Sequence, residues 1–282
     1  MKKTCLVLEG GAMRGMYTAG VLDTLMENNI KVDAIIGVSA GALFGINYKS
    51  CQKGRAYRYN MKYLNNKNYM GIYSFIKTGN IMNKDFCFNK LVNELDKFDY
   101  ETFKNNNTKF YVVVTNLETG APEYHELTDL KDYKQMEFLR ASGSMQYVSH
   151  IVTIDKSKYL DGATGDSIPI KYMESLGYNK IIVVGTRPTG YQKKYRKQPS
   201  KIFYKDYPKF IESLNNRSKI YNETLNYISK KSQNRETIFL CPSKDLKIKR
   251  LEKNKNKLTK LYNLGKEDTL KELQNINNYL IK

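Results

Sequence analysis

Tryptophan is absent, histidine occurs twice and proline six times in 282 residues. Two histidines, His125 and His150, and four scattered cysteines (Cys5, Cys51, Cys87, Cys241) with no CxxC pair give a four-ligand zinc site nothing to build on. No metal and no cofactor is therefore expected. Spread thiols in a chain of this length read as reduced, mostly buried residues. No apolar run approaches the ~20 residues of a membrane-spanning helix, which excludes an integral helical membrane protein. Met1-Lys2-Lys3 imitates the start of a signal peptide. The apolar stretch behind it, Cys5 to Leu8, ends in Glu9-Gly10-Gly11, short of the roughly 7–15 residues such a peptide needs. The expected location is cytoplasmic, with peripheral contact at the inner membrane face as a further option. The bias towards Lys, Asn, Tyr and Ile points to a bacterial genome of low GC content.

What is present is enough for a large folded core: 41% hydrophobic and 12% aromatic residues. The formal charge of +19 is unevenly spread. Residues 187–282 hold 24 basic and 9 acidic side chains, whereas residues 1–186 hold 23 and 19. The plain reading of the basic third is a solvated helical cover. A sharper one is a patch for anionic lipid headgroups, where each Lys or Arg near the surface contributes about 1 kcal/mol. Nucleic acid is not expected as a partner, because no zinc-finger or RNP-like signature accompanies the charge.

Apolar strands are predicted at 3–8, 32–38, 110–115 and 180–185, with helices at about 14–27, 40–49, 134–141, 208–231 and 265–280. A Tyr-rich helical region fills 54–105, a hairpin spans 151–160, and further strands lie at 123–127 and 237–241. Strands alternating with helices indicate an α/β fold with a mostly parallel sheet covered on both faces. The charge shift divides the chain into a core, 1–190, and a basic, mainly helical extension packed on it, 191–282.

Gly37-Val38-Ser39-Ala40-Gly41 follows the apolar Ala34-Ile35-Ile36 and opens a helix of small residues. A serine nucleophile must project from a tight strand-to-helix turn, and glycines two residues to either side leave room for it. The helix start adds positive partial charge where an oxyanion would develop. Upstream, Leu8-Glu9-Gly10-Gly11-Ala12-Met13-Arg14-Gly15 places glycines between a strand and a helix. A dinucleotide fingerprint would want a glycine at Ala12 and an acid ending the second strand, and Asp33 precedes that strand instead. The alternative is an oxyanion hole from the amides of Gly10, Gly11 and Ala12, with Arg14 holding the loop or meeting an anionic substrate group.

A serine of this kind needs a base. Neither histidine follows residue 150, which fits the Ser–acid–His order poorly, and both read as structural or surface residues. Asp161, in Leu160-Asp161-Gly162-Ala163 at the end of the hairpin, is the other candidate, and desolvation would raise its basicity. The glycine-rich Glu9–Gly15 loop, the Ser39 elbow and Asp161-Gly162-Ala163, in this order, resemble the bacterial patatin-like phospholipases.

That resemblance covers about 1–190 and implies a three-layer α/β/α fold, a Ser39–Asp161 dyad without histidine, and lipid acyl hydrolysis of phospholipase A or lysophospholipase type. Gly10, Gly11 and Ala12 would form the oxyanion hole, with Arg14, Gly15, Gly37, Gly41, Gly162 and Ala163 as supporting positions. The substrate is expected to be a phospholipid or other fatty-acyl ester. Ala12 stands where the family usually has a third glycine. Tyr- and Met-rich segments near 57–82 read as amphipathic cover, with an acyl groove or a lid as the alternative. A non-catalytic anionic-lipid-binding module of the same fold is the competing function.

Overall fold

Thr4–Leu8 (β1) is β-branched and apolar without alternation, as a strand buried on both faces should be. In the computed structural model, which describes residues 2–197 and 199–281, it lies at the centre of an eight-stranded sheet. The elements that follow are a 3₁₀ turn at Ala12–Gly15, α1 (Met16–Glu27), β2 (Ala34–Val38), α2 (Ala40–Lys49), α3 (Arg55–Tyr63) and α4 (Ile72–Thr78). A π-helical segment, Phe86–Leu95, leads to α5 (Tyr100–Asn105), β3 (Lys109–Asn116), β4 (Pro122–Glu126) and α6 (Tyr133–Ser142). The chain continues as β5 (Val152–Ile154), β6 (Ser157–Asp161), α7 (Ile170–Ser175), β7 (Lys180–Val184), α8 (Ser200–Phe203), α9 (Pro208–Gln233), β8 (Thr237–Leu240) and α10 (Lys255–Ile281). The order across the sheet is β5-β6-β3-β2-β1-β7-β8, with β4 on β3. From β3 to β8 every pairing is parallel, and β4, β5 and β6 join antiparallel.

The period of two along the strands sorts side chains into two cores. Leu6, Leu8, Ile35, Phe110 and Val112 face a core closed by α1, α2, α3, α6 and α10. Cys5, Val7, Ile36, Val113 and Val183 face one closed by α7 and α9. The result is the expected three-layer α/β/α arrangement around a mostly parallel sheet. The basic third enters every layer: α9 covers one face, β8 extends the sheet beside β7, and α10 lies against α1.

Two helices differ from the sequence expectation. The final helix begins at Lys255, ten residues before the expected start. Gly265 looks like a boundary but is a close approach: a Cβ there would stand 2.3 Å from the Tyr17 carbonyl oxygen, and one on Gly20 would stand 2.1 Å from that of Tyr262. Each glycine admits the other helix's backbone, so at these two positions the backbones of α1 and α10 come into direct contact. The short α7 was not anticipated, because six residues are too few for an apolar period to show.

Strand register fixes the site. On β3, β2 pairs Lys109–Val113 and β4 pairs Tyr111–Thr115, so these two lie on opposite edges. β6 pairs Val114–Asn116, two of which also bond β4, and therefore occupies the edge that β2 leaves. β2 ends at Val38 opposite Val113, and the oppositely directed β6 ends at Asp161 opposite Val114.

Candidate active site

Ser39 follows Val38 at φ 54°, ψ −122°, a conformation that L-residues rarely adopt. The turn is possible because of its glycines. A Cβ on Gly37 would fall 2.5 Å from the backbone of Ala42, and one on Gly41 would fall 2.3 Å from the Leu8 carbonyl oxygen. The Ser39 amide donates to Ser142 Oγ at 2.9 Å, and α2 starts immediately behind. The Ser39 hydroxyl donates to Asp161 Oδ2 at 2.7 Å across 122 positions of chain.

Asp161 is held on every side. Its amide donates to Ser144 O at 2.9 Å, its carbonyl accepts from Thr115 Oγ1 at 3.0 Å, and its Oδ1 accepts from the Ala163 amide at 2.9 Å. Gly162 passes so close to β3 that a Cβ would stand 2.2 Å from Val113 O. Burial pushes the Asp161 carboxyl above the usual carboxylate range. The Ser39 hydroxyl, the Arg217 charge, the Ala163 amide and the Arg250 charge pull it back.

The glycine-rich loop lies against the elbow: a Cβ on Gly10 would be 2.9 Å from Ser39 Cβ, and one on Gly11 would strike the Thr186 side chain. Among the described residues the amides of Gly10, Gly11 and Ala12 find no protein acceptor, which leaves three donors in sequence beside Ser39. Ala12 takes the left-handed φ of +49° that a glycine would tolerate at less cost. The loop is anchored at both ends. Glu9 accepts from the Thr186 amide and from Tyr221 Oη at 2.7 Å, and the Met13 amide donates to Arg250 O at 3.1 Å. A Cβ on Gly15 would lie 2.8 Å from the Phe44 ring and 3.0 Å from Ala40 Cβ, so this glycine lets the loop's end pack on α2.

Ser39 and Asp161 open into a cleft of about 800 Å³. Arg14 lines it, buried, with no acceptor for its Nε among the described residues. Burial and the neighbouring Arg187 push its guanidinium down to about 10. A second cavity, small and apolar at about 80 Å³, touches Ala12 and Ala40. Tyr59, Tyr69, Met70 and Met82 line it, so part of the Tyr- and Met-rich segment borders the site. Neither histidine lines either cavity. His125 stacks on Phe138 with ring centroids 3.7 Å apart, and His150 Nε2 lies 3.1 Å from Thr78 O. Among the described residues no three His, Cys, Asp or Glu side chains gather as a metal site would require.

Three residues around the site carried no signal in the sequence: Tyr221, Arg217 and Arg250. Each reaches the site from an element whose position depends on the whole sheet. Glu9 stood inside the recognised loop, but its partner Tyr221 lies 212 residues away.

Fold and geometry together define an α/β protein with a serine–carboxylate pair and a free-amide loop at the carboxyl ends of parallel strands. The chain belongs to the patatin-like phospholipase family, whose model matches residues 6–173. Residues 207–281 match a second model, described as a domain of unknown function, DUF6363. The uncharacterized protein YjjU of Escherichia coli K12 is 27% identical over 191 residues, covering 66% of this chain and 53% of YjjU. Lysophospholipase nte1 of Aspergillus fumigatus is 27% identical over 188 residues, covering 64% of this chain and 12% of that protein. The match thus spans about half of one relative and about an eighth of the other. VipD from Legionella pneumophila has a similar structure, with a TM-score of 0.48 and 14% identity over 97% of this chain and 67% of that one. Among the described residues no helix is long and apolar enough to cross a membrane.

Proposed function

We propose that the protein is a serine acyl hydrolase acting on lipid carboxylic esters, of phospholipase A or lysophospholipase type. The 2.7 Å contact between Ser39 Oγ and Asp161 Oδ2 is the observation that carries this reading. Ser39 Oγ attacks the ester carbonyl carbon while its proton passes to Asp161. The carbonyl oxygen becomes an oxyanion held by the amides of Gly10, Gly11 and Ala12. Collapse breaks the carbon–oxygen bond to the alcohol, which takes the proton from Asp161 and leaves an acyl ester on Ser39. Asp161 then takes a proton from water, the resulting attack releases the fatty acid, and the proton returns to Ser39.

The apolar cavity beside Ala12 and Ala40 suits the start of an acyl chain. Exposed apolar side chains, Ile72 and Ile76 on α4 and Ile202 on α8, stand beside the exposed Lys77 and Lys201. That combination suits peripheral contact with an anionic lipid surface.

A fluorophosphonate probe tests the assignment: it should label Ser39, and Ser39→Ala should lose both labelling and turnover of a short-chain ester. Turnover that survives in Ser39→Ala removes the mechanism. Salt-sensitive binding to anionic vesicles with no fatty acid released would favour the non-catalytic lipid-binding reading instead.

A further inference from the structure

The cleft that holds Ser39 and Asp161 is lined by eight basic side chains against two carboxylates, Glu9 and Asp161. Both carboxylates are already engaged, Glu9 by Thr186 and Tyr221, and Asp161 by Ser39 and the Ala163 amide. The cations are not. Among the described residues Arg14, Arg187, Lys193, Arg217 and Arg250 have no ion-pair partner within 4.0 Å, and Arg14 Nε and Arg217 Nε are buried without an acceptor. The two buried guanidinium nitrogens of Arg14 and Arg217 are costly to leave unpaired, and the half-buried Arg187 and Lys193 and the exposed Arg250 line the same cleft, which points to an anion that completes them.

The cluster is built from fixed parts. The segment carrying Lys193 is tied to α9 by two hydrogen bonds with Asn222, at 2.8 and 3.0 Å. Lys193 Nζ lies 3.7 Å from the centre of the Tyr221 ring, and Tyr221 in turn holds Glu9. The backbone of Arg250, whose side chain is exposed at the cleft, is held by its carbonyl, which accepts from the Met13 amide. Burial beside Arg217 pushes the Lys193 ammonium down to about 6, as expected where cations crowd without a counter-ion. Of the five residues only Arg14 lies within 6–173, and Arg217 and Arg250 lie within the region matched to a domain of unknown function.

We infer that this C-terminal region is a specificity element: Arg217 and Arg250, with Arg14, Arg187 and Lys193, receive a doubly charged phosphomonoester headgroup next to the scissile acyl ester. Lysophosphatidate and phosphatidate carry such a group. A choline or ethanolamine headgroup brings an ammonium for which the cleft has no free carboxylate, and a neutral glyceride leaves the guanidiniums unpaired. Calling this ligand a substrate rests on the hydrolase reading; its binding does not.

The test uses the full chain and one acyl group on three headgroups: 1-oleoyl lysophosphatidate, 1-oleoyl lysophosphatidylcholine and monooleoylglycerol. We expect kcat/KM for lysophosphatidate to exceed the other two at least tenfold. Arg217→Gln and Arg250→Gln should each cut that ratio at least tenfold, whereas Arg250→Lys should keep most of it. In parallel, calorimetry on the Ser39→Ala protein compares lysophosphatidate with inorganic phosphate. Lysophosphatidate should bind at least tenfold more tightly, and Arg250→Gln in that background should weaken it at least tenfold. Arginine-dependent binding without any turnover would discard the hydrolase reading and keep this inference. Equal kcat/KM across the three headgroups, lipid binding indifferent to Arg250, or phosphate binding as tightly as the lipid would overturn it.

Discussion

Val38 and Asp161 end their strands at consecutive register positions on one edge of β3, opposite Val113 and Val114. Because β2 and β6 run towards each other, the residue after Val38 faces the last residue of β6. The Ser39–Asp161 contact is thus set by backbone hydrogen bonding of the sheet and not by a flexible loop. A site built this way is pre-organised, since its two groups cannot separate without breaking strand pairs.

The pH dependence of kcat/KM follows from the surroundings of Asp161. Only the ionised carboxylate accepts the Ser39 proton, and burial raises its pKa above the ordinary 3.8. Activity should fall on acidification along a limb lying above pH 3.8. Arg217 favours the charged form and holds the pKa down, so Arg217→Gln should move the limb to still higher pH. A limb that shifts downward in that variant would separate Arg217 from Asp161.

Asp161→Asn should divide activity from stability. A carboxyl whose folded pKa is raised contributes most to stability below its unfolded value, and that contribution is lost as pH rises through the folded value. At pH 7 the buried charge therefore costs stability, which an amide would not. The variant should melt no lower than wild type while ester turnover drops about 10²–10⁴-fold. Thermal unfolding and initial rates check the two halves, and a much lower Tm would mean that the carboxylate chiefly supports the fold.

Ser39 holds a backbone conformation with φ 54°, ψ −122°, natural only to glycine. Ser39→Gly and Ser39→Ala both remove the hydroxyl, but only the first relieves the strain. Ser39→Gly should be more stable than Ser39→Ala by about 1–3 kcal/mol, measured by chemical denaturation. Equal stabilities would show that the elbow is unstrained.

Gly265→Ala places a methyl group 2.3 Å from the Tyr17 carbonyl oxygen. The helices α1 and α10 must separate to admit it, at a cost of about 1–3 kcal/mol. Denaturation midpoints measure the loss. A neutral substitution would mean that the two backbones are not in close contact.

The sequence alone determined whatever depends on neighbouring residues. Strands β1, β2, β3 and β7 show as apolar runs, and the elbow shows as two glycines around Ser39, because local sterics allow little else. Asp161 stood out through the small residues after it and through the family resemblance. The C-terminal third showed only as charge, since a count of lysines and arginines does not say which of them point inward. Tertiary structure alone decided that Arg217 and Arg250 border the Ser39 cleft, that Tyr221 holds Glu9, and that Gly265 lies against the backbone of α1. Each of these contacts joins positions far apart in the chain, so each exists only once strand pairing and helix packing have set the distance between them.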